Sequence, residues 1–473
     1  MGCHANMCLL ALSLALPGCS LITSPDGLIF VDDAGLDSVD AGPDASTDAA
    51  APLDAGDAGD AGPLDAGPCE ETCGGERPLC DADTGECVQC LAASDCDDGD
   101  SCSVDRCGVD GTCSNTLEDR CLRAMSSGGD STCAVQATGR VYCWGSNSHG
   151  QIGSTAVPVG GMQTRAVWVL SLSDARHVAV GERHACAARA GGEVMCWGDG
   201  GAGQIGDGGT AQRRTPVMVA AIGDALRTLV GVSHSCAIST DGTMRCWGNN
   251  GNGALGDGST ETRLEPVTVL RLDDFVSGAG GLGFTCATRT TGGAACWGWN
   301  LSGALGDGTM GDANRPIDVS GLSDAVDVSS TAVHSCALRA NGRVACWGDN
   351  GAGQLGDGTK SNSNVPVEVS GLSDAIAVSV GASHSCALTA DGTVYCWGAN
   401  ESGQLGTGAA GADVTTPVSV AGLGTATSIS TGTAHSCAQV DRTDVFCWGD
   451  NSEGQIGDDT TEQRLTPTRV RGL

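Results

Sequence analysis

The sequence predicts an all-β protein whose largest part is a seven-bladed β-propeller. The first observation is a Cys-Trp-Gly motif that recurs in steps of 53, 50, 50, 50, 50 and 51 residues, beginning at Cys143, Cys196, Cys246, Cys296, Cys346, Cys396 and Cys447. The second is that each unit holds four short alternating or apolar segments, such as AIAVSVG, SCALTA, TVYCWG and VPVEV, separated by Gly, Asp or Asn. Seven such units favour a propeller, whose radial repetition leaves few open edges. A linear β-solenoid, which has shorter coils, is the less favoured alternative.

Residues 1–19 have the pattern of a signal peptide. Their apolar core, residues 7–16, is too short to span a bilayer and has the length of a signal-peptide core. The tetrapeptide Leu-Pro-Gly-Cys, which ends at Cys19, resembles a bacterial lipobox, so we expect Cys19 to be lipidated. Pro17 and the lack of a basic residue before the apolar core depart from that pattern. A plain secretory signal is therefore the alternative.

Residues 20–68 are predicted to be a linker. The tract 32–68 consists almost wholly of Asp, Ala, Gly and Pro, and it offers little apolar surface to bury. Such a chain is expected to be disordered and extended by the repulsion between its carboxylates. If Cys19 carries lipid, this linker holds the folded part away from a membrane.

Residues 69–121 are predicted to form a small cysteine-rich disulfide module. They hold ten cysteines, an even number that allows up to five disulfides of undetermined connectivity. A zinc site is less favoured, because the single Cys-x-x-Cys, Cys87 to Cys90, has neither a second such pair nor a histidine. An acidic stretch in this module offers a possible calcium site at Asp95, Asp97, Asp98 and Asp100. Because its spacing does not fit an EF-hand, a solvated acidic loop is the favoured interpretation.

Residues 122–473 hold the seven repeats, and each repeat carries a second cysteine ten positions before the first. In the unit that contains Cys386, a three-residue loop ending at Gly392 would oppose Leu388 to Val394 and Cys386 to Cys396. Opposed Cβ atoms lie within reach of a disulfide, so we predict one bond inside each blade, worth about 2–3 kcal/mol. The last repeat has Thr443 where the others have glycine, and we expect it to turn differently. The predicted pairs are Cys133–Cys143, Cys186–Cys196, Cys236–Cys246, Cys286–Cys296, Cys336–Cys346, Cys386–Cys396 and Cys437–Cys447.

Charge and cysteine usage restrict the function. The formal net charge is −33, and there is a single lysine, Lys360, so no basic face is available for nucleic acid. If the module and the repeats form disulfides and Cys19 carries lipid, only Cys3 and Cys8 remain, both in the predicted signal peptide. This distribution of cysteines favours an oxidising compartment outside the cytoplasm.

The repeat unit G-x-x-H-S-C-A-L-x-x-D-G-x-V-x-C-W-G-x-N-x-x-G-Q-L-G resembles that of the regulator of chromosome condensation family. The resemblance covers residues 122–473 and implies a seven-bladed propeller. It leaves the function open, since members include a nucleotide exchange factor for a small nuclear GTPase, binding scaffolds, a light receptor and a secreted bacterial inhibitor of β-lactamases. The paired cysteines, the acidity and the export signal depart from the nuclear protein and argue against GTPase exchange.

Residues that could carry chemistry are better explained by structure. A histidine recurs before the first cysteine of five repeats, which is more typical of a residue that satisfies backbone groups than of a metal ring. The aspartates of the Gly-Asp-Gly loops suit turns, and the seven motif tryptophans suit packing between blades. Lipase-type, zinc-protease and Walker motifs are missing, so we predict that the protein is not an enzyme and binds no cofactor.

The units differ most after each GQLGDG-like loop, in segments 154–166, 209–215, 259–265, 309–315, 359–365, 409–416 and 460–466. Because these segments are equivalent, they should share one propeller face, a common arrangement for a recognition surface, although drift in unconstrained loops is the alternative. Its candidate binding residues are Arg165, Arg213, Arg214, Arg263, Arg315 and Arg464. We therefore expect a monomeric, non-catalytic protein-binding scaffold at the bacterial cell envelope, held at the outer membrane by its lipid, or else secreted. Inhibition of a secreted enzyme is the alternative function, and guanine-nucleotide exchange a weaker one.

Overall fold

The computed structural model describes residues 19–24, 27–32, 79–80, 87–97, 102–109, 112–118 and 120–473. The chain divides into a small N-terminal unit and the propeller. Residues 1–18 of the predicted signal peptide lie outside the described residues. Strands β1 (Cys19–Ser24) and β2 (Gly27–Asp32) form a two-stranded sheet at the start of the segment predicted as a linker, and residues 25–26 and 33–68 lie outside the described residues. In the described part of the chain, no helix has the length and apolar character needed to cross a membrane.

The described residues of the cysteine-rich unit form two short antiparallel strand pairs and one helical turn. Strand β3 (Leu79–Cys80) pairs with β4 (Cys87–Val88), a 3-10 helix covers Ala93–Cys96, and β5 (Ser103–Cys107) pairs with β6 (Cys113–Leu117). Disulfides join Cys90 to Cys107 and Cys96 to Cys113. The sulfurs of Cys90, Cys96 and Cys113 lie within 4.8 Å of one another, but all three belong to these disulfides and offer no thiolate to a metal.

The acidic stretch of this unit has a structural role at its first carboxylate. Asp95 accepts hydrogen bonds from the backbone N–H groups of Leu91 and Ala92 at 2.8 and 2.9 Å, and these bonds lower its pKa. Asp98 and Asp100 lie outside the described residues. The possible calcium site therefore stays a prediction.

The propeller consists of seven four-stranded antiparallel sheets, and each sheet uses four consecutive strands. Blade 1 consists of β7 (Leu122–Gly128), β8 (Ser131–Gln136), β9 (Val141–Asn147) and β10 (Gly161–Trp168), and blade 2 of β11 (Ala175–Val180), β12 (His184–Arg189), β13 (Glu193–Gly198) and β14 (Arg213–Gly223). Blade 3 consists of β15 (Ala225–Val230), β16 (His234–Ser239), β17 (Met244–Gly248) and β18 (Arg263–Thr268), blade 4 of β19 (Phe275–Gly280), β20 (Phe284–Arg289), β21 (Ala294–Gly298) and β22 (Ala313–Asp318), and blade 5 of β23 (Ala325–Ser330), β24 (His334–Arg339), β25 (Val344–Gly348) and β26 (Ser363–Glu368). Blade 6 consists of β27 (Ala375–Val380), β28 (His384–Thr389), β29 (Val394–Asn400) and β30 (Gly411–Ser419), and blade 7 of β31 (Ala426–Thr431), β32 (His435–Val440), β33 (Asp444–Gly449) and β34 (Arg464–Arg469). The predicted seven-bladed propeller is thus confirmed.

The first strand of each blade is the innermost, and these strands surround a central channel. Hydroxyls on one inner strand accept hydrogen bonds from backbone N–H groups on a neighbouring one, as Ser126 does from Val180 at 3.0 Å. Ser430 of blade 7 accepts in the same way from Ser127 of blade 1 at 2.7 Å. Blades 7 and 1 are therefore joined by the same hydroxyl-to-backbone hydrogen bond as other neighbouring blades. The four strands of each blade are consecutive in the chain, so the first and last blades share no sheet.

The predicted hairpins and disulfides are confirmed in all seven blades. Cys386 lies opposite Cys396 and Leu388 opposite Val394, as the loop length requires. The paired cysteines of the seven blades have Cα atoms 4.0–4.1 Å apart and are disulfide-bonded. Gly392 has a φ of 83°, the left-handed conformation this turn needs. Blade 7, which lacks the glycine, turns through Asp441 and Arg442 with φ of 49° and 59°.

Apolar cores lie between neighbouring blades rather than in one centre. One cluster combines Cys133, Cys143 and Ile152 of blade 1 with Trp197 of blade 2. Each motif tryptophan is fully buried, and its indole N–H donates to a backbone carbonyl of the preceding blade at 2.7–2.9 Å. The seven carbonyls belong to Gln455, Gln151, Gln204, Ala254, Ala304, Gln354 and Gln404. The tryptophans therefore join blades, as predicted.

Candidate protein-binding face

The course of the chain decides which loops share a face. In each blade the four strands alternate in direction, so the loop between the first and second strands lies at the same end as the loop between the third and fourth. The seven variable segments fall at or beside the second of these loops. They therefore lie on one face, which we call the variable face. The hairpin turns beside the disulfides lie at the opposite end.

Several of the candidate arginines on the variable face have internal partners. Arg213, Arg263 and Arg464 form ion pairs of 2.5–2.9 Å with Asp207 and Asp257 of the Gly-Asp-Gly loops and with Asp458 at the equivalent position of blade 7. Burial opposes the ionisation of Asp257, but hydrogen bonds from Ser259 and Arg263 outweigh it and lower the pKa of that carboxyl. These three arginines fasten the fourth strand to the loop before it.

Two of the other candidate arginines, Arg165 and Arg214, have a looser setting. Arg165 lies 3.3 Å from Asp459, and both side chains are about half exposed. Arg214 donates to the carbonyl of Val157 in the adjacent blade, at 3.5 Å. These contacts leave the binding role of the arginines as a prediction.

The repeated histidines bond to side-chain hydroxyls of neighbouring blades, and not to the backbone groups expected from the sequence. Nε2 of His384 lies 2.9 Å from Oγ of Ser436 in the next blade, and that hydroxyl donates to the carbonyl of Gln404. The Ser436 hydroxyl has one proton, which it donates to the carbonyl of Gln404. Nε2 of His384 must therefore be the donor in its bond to Ser436. The same bond joins His184 to Ser235, His234 to Thr285, His334 to Ser385 and His435 to Thr132.

These histidines are fully buried and neutral. Burial lowers the pKa of His184 and His384 to about 3, and of His234, His334 and His435 to about 4. In four of these histidines, the described and buried Nδ1 atom has no hydrogen-bond partner. They are His184, His334, His384 and His435. A proton on that nitrogen would place a charge where nothing accepts it. The arrangement suits a fixed structural bond and not proton transfer.

The channel has a cavity of about 380 Å³ lined by the inner strands and the loops that follow them. At the variable face, the cavity opens through a ring that we call the rim. The rim consists of the seven loops between first and second strands, together with the residue that follows each Cys-Trp-Gly motif. The backbone N–H of that residue donates to its own blade's loop at 2.8–3.1 Å in every blade, as Trp299 does to Gly283. The rim is therefore a backbone frame on which seven sets of side chains differ.

Two residues of the rim, Asp130 and Leu282, were not predicted from the sequence to be functional candidates. Burial, and then the charges of Asp450, Glu453 and Glu182, raises the pKa of Asp130 to about 6. In blade 4, Leu282 is 44% exposed at the rim. Both could have been found by comparing the repeats at single positions, because the other blades carry different residues there.

A propeller whose blades share one frame, with unit-specific loops on one face, belongs to the class of repeat proteins in which each unit packs only against its neighbours. The chain belongs to the family of the Regulator of chromosome condensation (RCC1) repeat. Matches to this repeat cover residues 123–151, 175–204, 230–254, 325–354, 375–404 and 426–455, and, in a second description, 292–338, 341–388, 391–439 and 444–473. The stretch 255–291, where blade 4 begins, falls outside these matches.

Solved structures agree on the fold. Human WBSCR16 is 22% identical, with a TM-score of 0.65 over 70% of this chain and 95% of its own. Yeast RCC1 (Prp20), solved bound to Kap60, is 19% identical, with a TM-score of 0.63 over 75% of this chain and 85% of its own.

Curated relatives match over shorter stretches. Human HERC6, named a probable E3 ubiquitin-protein ligase, is 30% identical over 106 residues, which are 22% of this chain and 10% of that protein. The mitochondrial RCC1 domain-containing protein RUG3 of Arabidopsis thaliana is 30% identical over 98 residues, 21% of this chain and 22% of its own. The match thus spans at most about a fifth of these relatives.

Proposed function

We propose that this protein is a non-catalytic protein-binding propeller of the bacterial cell envelope, which recognises its partner with the variable face. The observation that carries the proposal is the contrast between a repeated frame and unit-specific loops gathered at one end. Yeast RCC1 (Prp20), a propeller of this fold, was solved in complex with another protein, Kap60. A binding role is the function that this arrangement suits best.

The disulfides support a location of the protein in the cell envelope. All fourteen propeller cysteines are paired in disulfides, and such bonds persist in oxidising compartments. We propose that the chain is exported, and that Cys19 carries the lipid that anchors it. Metabolic labelling with a fatty-acid analogue should mark the wild type and not a Cys19→Ala variant. Recovery of the protein in the cytoplasm with reduced thiols would contradict export.

Binding is tested by capture from an envelope extract with the full chain as bait. Replacing the seven variable segments by one consensus loop should abolish capture of the partner, because these segments hold the side chains that differ most between the blades. A bait altered at the opposite end, with Arg343→Ala in the blade 5 hairpin, serves as control and should retain it. Retention of the partner by the consensus-loop bait would place the binding surface elsewhere.

A further inference from the structure

The rim is chemically divided, although its backbone repeats seven times. Asp349 of blade 5 is the one rim carboxylate outside the part carried by blades 7, 1 and 2, which hold Asp450, Asp130, Glu182 and Asp199, with Arg183 as the basic residue of that part. We call these three blades' share of the rim the acidic sector. On blades 3 and 4 the equivalent places hold Val232, Asn249, Leu282 and Trp299, which we call the apolar sector. Blade 4 lies roughly across the channel from the junction of blades 7 and 1.

The apolar sector contains a pocket between neighbouring blades. A cavity of about 320 Å³ is lined by Val232, Asn249, Asn252, Leu282 and Trp299, among others. Its walls are held by backbone bonds, because Val232 N–H donates to Gly281 at 3.3 Å and Leu282 N–H donates to Ala332 at 3.0 Å. The walls are therefore in place before a ligand arrives, which lowers the entropic cost of binding.

Exposed apolar side chains continue outward from this pocket on the same blade. In the loop after Trp299, Leu301 is 66% exposed and Met310 is 52% exposed. At the place of Leu301 the other blades have Ser148, Gly201, Gly251, Gly351, Glu401 and Ser452. Blade 4 thus departs from the repeat at several surface positions in the same direction, from polar or small to large and apolar. Clustered exposure of this kind marks an interaction site rather than ordinary surface variation.

The acidic sector supplies charge on the other side of the channel. Asp450, Glu453 and Glu182 lie near enough to Asp130 to disfavour its ionisation. Arg183 lies 3.4 Å from Glu182, at a half-exposed position, and offsets part of this charge. The sector as a whole stays acidic and favours a cationic partner.

The charge of the sector selects among possible occupants. The chain's own tract 32–68 is rich in Asp and has no Lys or Arg, so the acidic sector would repel it. A second copy has no basic rim to offer, and nucleic acid is excluded by its phosphates. The complementary occupant is a segment of another protein that combines a large apolar residue with Lys or Arg.

We infer that the rim binds a peptide segment of its partner that places a bulky apolar side chain in the pocket between blades 3 and 4 and basic side chains against the acidic sector. This inference rests on the proposed function and assigns the chemistry of the partner. Buried apolar anchors provide most of the affinity at such sites, and the charges set orientation and rate of association.

The test is selection of a random peptide library on phage against the immobilised full chain. Enriched sequences should combine an aromatic residue, Leu or Met with two or more basic residues. Affinities of the synthetic winners are then measured by fluorescence anisotropy. No enrichment, or enrichment of sequences without this combination, overturns the inference.

Matched variants locate the binding. Leu282→Ala and Trp299→Asn introduce residues that other blades carry at these places, so the frame should fold, and each should weaken binding about tenfold or more. The control Leu226→Ala removes a leucine of similar exposure, 46%, from the far end of an inner strand and should change nothing. Equal effects at Leu226 and Leu282 would overturn the pocket assignment.

Charge variants address the other sector. Glu182→Ala with Asp450→Ala should weaken binding and reduce its sensitivity to salt, while Glu193→Ala with Asp374→Ala at the opposite end should not. Unchanged affinity in the first pair overturns the role of the acidic sector. If the captured envelope partner is lost on loop replacement but binds every rim variant normally, the proposed function stands and this inference fails.

Discussion

At the scale of single residues, the repeated histidine is a hydrogen-bond donor between blades, and its partner changes with it. Where blade 1 has Ser131 in place of histidine, blade 2 has Ala185 in place of the accepting hydroxyl. Where blade 4 has Phe284, Ser335 of blade 5 keeps its hydroxyl but receives a bond of 2.8 Å from Ser330 in its own blade. Where the histidine donor is missing, the accepting hydroxyl of the next blade is either absent or bonded to another group. A buried hydroxyl without a hydrogen-bond partner would cost stability.

The buried histidines predict a loss of stability in acid. Their pKa values are about 3–4 in the folded state and near 6.5 when unfolded, so below pH 6.5 the unfolded chain binds more protons and the free energy of unfolding falls. Each histidine contributes a slope approaching about 1.4 kcal/mol per pH unit down to its folded pKa. Urea unfolding between pH 7 and pH 5 measures the slope.

Two carboxyls act in the opposite direction. Burial is the largest cause that raises the pKa of Asp130 and of Asp327 to about 6, so protonation between pH 6 and 3.8 stabilises the fold. Five histidines outweigh two aspartates, and the net effect is a loss. A His384→Phe variant reproduces the natural Phe284 of blade 4. The pH dependence of its free energy of unfolding should correspond to about one bound proton fewer than in the wild type. An unchanged pH dependence would contradict the assignment.

At the scale of the element, the hairpin formed by the second and third strands is the unit that the sequence specifies most completely. Its cysteines occupy a pair that is not directly hydrogen-bonded, where side chains approach most closely. The bond pattern agrees, since Thr389 N–H donates to Thr393 at 3.0 Å and the cysteines lie three positions further along. The loop glycine, the register and the disulfide therefore reinforce one another.

Removing one of these disulfides should weaken the propeller measurably. The double variant Cys386→Ala, Cys396→Ala should lose about 2–3 kcal/mol in the free energy of unfolding, because the loop it closes is short. Urea unfolding compares it with the wild type and with the single variant Cys396→Ala. A loss well under 1 kcal/mol would mean that strand pairing alone holds the hairpin.

At the scale of the whole molecule, the ring depends on every blade having two neighbours. Trp144 of blade 1 donates to Gln455 of blade 7 at 2.9 Å, and Trp448 of blade 7 donates to Gln404 of blade 6 at 2.9 Å. Removal of blade 7 would break both contacts and expose the cores on either side of the gap.

Deleting residues 426–473 should therefore give an aggregating chain that binds a hydrophobic dye. The control is deletion of residues 33–68, which have few apolar side chains and should leave the unfolding midpoint unchanged. Size-exclusion chromatography and thermal unfolding distinguish the two. A monomeric, cooperatively folding product without blade 7 would contradict the mutual dependence of the blades.

The sequence by itself determined the number of blades, the four strands of each, the cysteine pairs and the different turn at Thr443. These depend on local periodicity and loop length, which repeat seven times and can be checked against one another. The tertiary structure decided which side chains meet between blades, such as His384 with Ser436. It also brought together the pocket of the apolar sector, because Val232 and Leu282 are fifty residues apart and become neighbours only when blade 4 packs against blade 3.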